Sequence, residues 1–288
     1  MPLQLHQNLN LLLLAVVGSL FANIYISWSE IALIIIFTLS IEHLFLYFNR
    51  GRSFYFSYAG LSTAISAIVL MYSPNLWIYF IVITLGLAQK HFITFNGKQL
   101  FNPSNFALIM ALLFFYRDAH IISGQLGDEP WLALIASVLA FAILVRANRW
   151  VISVAFIVSY LFLQYVLIVG YDPVVIFEDI YHRFYSVTFI LFIYFMLTDP
   201  PVTPSSYKEQ VLFAMFVALM ATLLDRYFGY RVQHLFMSVF FLSFFVHYRM
   251  FKTLSSREIK YLVTILLFII VMLVYIELQP PYYFEMNG

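Results

Sequence analysis

Long apolar runs with few polar interruptions dominate this chain. They predict eleven spans, at roughly 9–27, 31–49, 57–72, 76–89, 103–116, 131–146, 150–170, 184–198, 209–225, 230–248 and 260–278. Several of the links between them are tight: Ser27-Trp28-Ser29-Glu30, Ser73-Pro74-Asn75 and Arg146-Ala147-Asn148-Arg149. Short links make consecutive helices antiparallel neighbours in one bundle. No linker resembles a domain boundary, so residues 1–288 read as a single transmembrane domain. The fold class expected is all-α: a polytopic membrane protein of ten or eleven helices.

Two breaks stand out in this pattern. The first is Asn96-Gly97-Lys98-Gln99-Leu100-Phe101-Asn102-Pro103-Ser104-Asn105. The apolar run after it, counted from Pro103 to Tyr116, makes about 21 Å of helix, against a bilayer core of about 30 Å. Either neighbours support that helix strongly or it starts inside the membrane, with Asn102, Gln99 and Lys98 at depth. Non-helical backbone survives there only where protein or a cavity satisfies it. The second break is Thr198-Asp199-Pro200-Pro201-Val202-Thr203-Pro204-Ser205-Ser206. The tetrads Asn102-Pro103-Ser104-Asn105 and Thr203-Pro204-Ser205-Ser206 start 101 residues apart. The pair reads as two halves of one membrane site.

Composition narrows the class. Hydrophobic residues make up 63% of the chain and charged residues 10%, where a soluble domain carries about 25% charged. One soluble core cannot hide so much apolar surface. Cysteine is absent, which excludes disulfides and cysteine-ligated zinc or iron–sulfur centres from this chain. A net charge of +1 gives nucleic acid no footprint. The N-terminus has no Lys or Arg before the first apolar run, so that run reads as a retained helix, not a signal peptide. With a cytoplasmic N-terminus and one crossing per run, only four of the fifteen Lys and Arg (Arg117, Arg183, Arg226 and Arg231) fall outside. That is the asymmetry of the positive-inside rule, and it puts both breaks in the cytoplasmic half.

Each candidate residue has a plainer account. Asn102 as N-cap with Pro103 at the first helical position is a good helix start. Yet Lys98, Gln99, Asn102 and Asn105 crowd into eight residues, and amide side chains offer both donors and acceptors, as a neutral heteroaromatic ligand requires. Ser206-Tyr207-Lys208-Glu209 fits a capping box. Asp199 follows fifteen apolar or weakly polar residues, and an intramembrane carboxylate is a functional hypothesis by default; a helix N-terminus could hold it ionised. Glu42 lies just beyond the midpoint of the second span. It is read as a hydrogen bond between spans or as part of a cation or proton relay. Lys90-His91 and His247-Tyr248-Arg249 read as boundary residues that anchor or snorkel. The histidines lack metal-ligand spacing, so no metal site is expected.

At the two breaks the chain resembles the RnfD/NqrB family, membrane subunits of bacterial Rnf and Na+-translocating NADH:quinone reductase complexes. Gly97-Lys98-Gln99-Leu100-Phe101-Asn102-Pro103 matches one family segment, and Phe195-Met196-Leu197-Thr198-Asp199-Pro200 another, with one extra proline before Val202-Thr203. Arg226-Tyr227-Phe228-Gly229-Tyr230 is similar to a third. Gly60-Leu61, Ser73-Pro74 and Ala88-Gln89-Lys90 are further echoes, and Glu42 falls where the family has a glutamate. The likeness is colinear from about 9 to 250.

The resemblance implies a ten-helix fold with an internal two-fold repeat, in a protein that holds flavin, passes electrons across the bacterial inner membrane and works with other redox subunits in ion pumping. By position it makes Gln99 and Asn102 riboflavin-contacting residues, with Lys98 beside them and Thr198 and Asp199 on the opposite half-site; Glu42 and Asp199 would mark an ion path. The family's covalent FMN hangs from a threonine in a loop after the fifth span. Here that loop, Arg117 to Pro130, has Ser123-Gly124 but no threonine, so riboflavin or FMN would be held non-covalently. The run 260–278 is an extra helix. These departures suggest a divergent branch, similar to RnfD-like proteins encoded near enediyne biosynthesis genes. The alternative is a small-solute or ion transporter on the same repeat fold, without redox activity; if the chain is part of an enzyme, it is a subunit of a translocase-type oxidoreductase.

Overall fold

The structure is a computed structural model. It describes residues 26–49, 57, 59–95, 98–122, 130–246 and 254–279, with residues 9, 12, 13 and 16. The first predicted run, 9–27, lies almost wholly outside the described residues, as does His247-Tyr248-Arg249.

The architecture is helical throughout. In chain order the helices are α1 (Trp28–Asn49), α2 (Ala59–Leu70), α3 (Leu76–Phe92), α4 (Pro103–Phe115), α5 (Pro130–Ala147), α6 (Trp150–Gln164), α7 (Phe177–His182), α8 (Val187–Leu191), α9 (Tyr207–Phe228), α10 (Gln233–Val246) and α11 (Ser256–Glu277). Two helices run on as single π-helical turns, α6 into Tyr165–Val169 and α8 into Phe192–Met196. Among the described residues, four two-residue strands make two antiparallel pairs. β1 (Met71–Tyr72) pairs with β4 (His120–Ile121), and β2 (Thr94–Phe95) with β3 (Lys98–Gln99).

Among the described residues, five helical stretches are long and apolar enough to cross a membrane: Trp28–Asn49, Pro130–Ala147, Trp150–Val169, Tyr207–Phe228 and Ser256–Glu277. Large apolar side chains such as Leu134, Val158, Phe162 and Phe268 point outward and are exposed, which suits lipid and not water. The chain is a polytopic, all-α membrane protein. In α1 the buried residues Ile34, Thr38, Glu42 and Leu46 recur every fourth position, a single inward stripe.

Short helices fill the centre. α4, thirteen residues long, is buried along most of its length. It packs so closely on α3 that a Cβ at Gly86 would come within 2.4 Å of the Pro103 carbonyl oxygen. The predicted span 184–198 is no straight helix: it is a 3-10 turn (Arg183–Tyr185), then α8 and its π turn. The predicted run 57–72 likewise ends early, as β1.

Candidate functional site at the converging breaks

The first break folds as a hairpin followed by a capped helix. β2 and β3 pair Thr94 with Gln99, which turns the chain back toward α3. Gln89 Nε2 then donates to the Phe101 carbonyl at 2.9 Å, pinning the hairpin's end. Asn102 Oδ1 accepts from the backbone N–H of Ser104 at 2.9 Å and of Asn105 at 3.1 Å. The predicted N-cap with Pro103 in the first turn is therefore present.

The same side chain does a second thing. Its Nδ2 donates to Asp199 Oδ2 at 2.9 Å, and Gln99 Nε2 donates to the same oxygen at 3.2 Å. The two breaks, about a hundred residues apart in sequence, meet at one partly buried carboxylate. Asp199 is held from behind by its own segment: Pro200–Val202 forms a 3-10 turn, and Thr203 Oγ1 donates to the Asp199 carbonyl at 2.8 Å. Thr198 is buried, and its hydroxyl donates to the Tyr194 carbonyl one turn back. Lys98 contributes its backbone to β3, and its side chain lies outside the described residues.

The junction packs against a neighbouring helix, α10. Asn105 Nδ2 donates to the Phe236 carbonyl at 3.2 Å. Phe101 stacks on Phe240 with ring centroids 4.7 Å apart and meets Phe244 edge-on at 4.8 Å. Phe236 to Phe244 covers most of the described part of α10 (Gln233–Val246), so the start of α4 packs along it. The aromatic wall keeps one side of the polar junction apolar.

Several buried polar atoms near the junction lack protein partners. They are Oε1 of Gln89, Oδ1 of Asn105, Oε1 of Gln210 and Nε of Arg149. Gln89 bonds Phe101, while Arg149 NH1 and Gln210 Nε2 both donate to the Pro204 carbonyl, so all four belong to the residues that frame the two breaks. Unsatisfied buried amides of this kind call for water or a ligand. Arg149 lies between α5 and α6; burial lowers its guanidinium pKa, and the nearby Asp199 charge opposes that shift.

Glu42 forms an adjoining cluster. Its Oε1 lies 2.5 Å from Lys90 Nζ and accepts from Ser57 Oγ at 3.2 Å; its Oε2 lies 2.8 Å from His91 Nε2. Lys90 and His91 therefore turn inward to this carboxylate. The snorkelling expected of them is overturned, because a buried carboxylate on α1 gives them a partner that a rim position lacks. The two clusters are joined along the chain, since Gln89, next to Lys90, bonds the carbonyl of Phe101, next to Asn102.

A third cluster was not anticipated from sequence. Asp225, His234 and Glu277 form a buried chain of contacts near the C-terminal end of α9. The signal was present, since Asp225 and Glu277 are carboxylates within apolar helices, but their partner is invisible without the fold. Among the described residues no group of His, Asp and Glu could hold a metal ion.

Comparison with known proteins agrees with the motifs of the second half of the chain. No curated protein matches the chain. The model of the NQR2, RnfD, RnfE family matches residues 114–248, which takes in the second break, α9 and α10. Over that stretch the chain is similar to the NQR2, RnfD, RnfE family.

Proposed function

We propose that this protein is an electron-transport membrane subunit that holds a flavin non-covalently where its two breaks meet. The observation that carries this reading is the joint hold of Gln99 and Asn102 on Asp199. Each amide nitrogen has a second hydrogen to offer. The orphaned amide oxygens of Gln89 and Asn105 and the Arg149 Nε–H add acceptors and a donor. That mixed set fits an isoalloxazine ring, which presents both kinds of group, and the Phe101–Phe240 stack supplies a dry apolar side. A bound flavin would supply the redox chemistry. The protein's own part is to orient the ring, exclude water and keep charge beside it. Partner redox subunits would complete the electron path, as the family's place in multi-subunit complexes implies.

Glu42 with Lys90 and His91, next to Asp199, is the candidate ion path. Ions or protons would pass only if one of these pairings opens. The placement in a bacterial inner membrane with a cytoplasmic N-terminus rests on the family and on the Lys and Arg asymmetry. The test is the absorption spectrum of the detergent-purified protein. A flavin spectrum, with flavin released on denaturation, is expected. A colourless preparation that also fails to take up added riboflavin would overturn the proposal.

A further inference from the structure

The cluster away from the breaks has geometry that fixes a proton count. Asp225 is about 27 Å along α9 from Tyr207. His234, fully buried at the start of α10, lies between two carboxylates: Nδ1 is 2.7 Å from Asp225 Oδ1, and Nε2 is 3.2 Å from Glu277 Oε2. An ionised carboxylate can only accept, and a neutral imidazole has only one N–H. Two such contacts need a hydrogen on both sides, so the triad holds one proton more than neutral histidine between two carboxylates. That proton sits on the ring or on one carboxyl.

The surroundings are built to hold this charge. From α6, Gln164 Nε2 donates to Asp225 Oδ2 at 2.7 Å and Tyr160 OH reaches it at 3.4 Å. From the turn before α8, Arg183 NH1 is 3.4 Å from the same oxygen, with its guanidinium 3.6 Å above the Tyr230 ring. Glu277, from α11, is paired with Arg231 at 3.1 Å and accepts from Gln233. Both carboxylates therefore keep other donors if His234 loses its extra proton. Gln164 Oε1 is buried without a partner beside Asp225, an acceptor left open for water. Arg231, with a side chain 22% exposed, is the outermost member and links the cluster to the surface.

We propose that Asp225, His234 and Glu277 form a buried proton-binding site, and that the bound proton fastens the end of α11 to the core. Glu277 is the contribution of α11, and its contact is the longer of the two imidazole bonds. When the proton leaves, a ring lone pair faces a carboxylate, and the Glu277 side gives way first. The site thus reads acidity as a change in how α11 is seated.

The test uses the full chain in lipid nanodiscs. Nitrogen NMR of labelled histidine, with the His234 signal assigned by its loss in H234N, reports ring protonation. At neutral pH either both ring nitrogens, or one ring nitrogen and one carboxyl, should be protonated, and this state should convert at alkaline pH as the extra proton leaves. E277Q should move that conversion to at least tenfold higher proton concentration. The chain has no cysteine, so spin labels at exposed Tyr227 and Leu278 report the seating of α11, and their distance distribution should broaden in step with the conversion. A His234 ring that is singly protonated at neutral pH, with both carboxyls ionised in the infrared spectrum, overturns the proposal. A label distance unchanged through the conversion also overturns it. If H234N does not fold, the His234 signal is assigned by its shift in E277Q and D225N.

Discussion

A single side chain, Asn102, joins the local and the long-range structure. Its oxygen caps α4 and its nitrogen holds Asp199. Asn102→Ala removes both, costing about 0.5–2 kcal/mol for the cap and about 1.5–3 kcal/mol for a bond to a charged group. Asp199→Ala leaves the cap and removes the second, together with the bond from Gln99. Apparent melting temperatures in detergent should therefore fall for both, and the double variant should lose less than the sum, with a coupling of about 1–3 kcal/mol. Strict additivity would mean the contact carries no energy. His120 offers a residue-scale test on pH. It lies in β4, beyond the end of α4, and burial lowers its imidazole pKa. The folded chain thus binds a proton there less readily than the unfolded one. The stability this contributes is present above the ordinary histidine value, about 6.5, and is lost as pH falls through the lowered value. His120→Gln should flatten the acid side of a stability–pH profile; an unchanged profile would show that other groups set it.

At the scale of elements, the close approach of α3 and α4 places the site. Gly86 is where the two helices touch, against the Pro103 carbonyl and the Ala107 methyl. Gly86→Ala forces them apart beside the Asn102 cap, with an overpacking cost of about 1–3 kcal/mol. The expected result is a lower melting temperature together with weaker flavin retention; loss of neither would mean that α4 is positioned from its other side. The elements were legible in sequence to different degrees. The apolar runs located most helices, because a membrane helix must be apolar along its whole length. The Asn102-Pro103 start was legible because cap and proline chemistry is local. The predicted span 184–198 was not, because the π turn at Phe192–Met196 and the 3-10 turn before α8 leave hydrophobicity unchanged. Lys90 and His91 were misplaced for a related reason. Boundary position suggests snorkelling, but a buried Glu42 forty-eight residues earlier captures Lys90.

At the scale of the whole molecule, buried polar chemistry gathers at a few points where helices meet, while many large apolar side chains face outward. The convergence of the breaks was legible because each carried a dense local cluster of Pro, Asn, Gln or Asp. The Asp225–His234–Glu277 chain was not, since its members stand alone in separate apolar stretches, and α11 supplies one of them from forty-three residues away. Flavin binding at the junction of Gln99, Asn102 and Asp199 is the proposal on which the rest depends. Its most direct test is a fluorescence titration of the flavin-stripped protein with riboflavin, comparing the native chain with Asn102→Ala and Asp199→Ala. Saturable quenching by the native chain and at least tenfold weaker binding in both variants are expected. Equal binding by all three, or no quenching by the native chain, would contradict it.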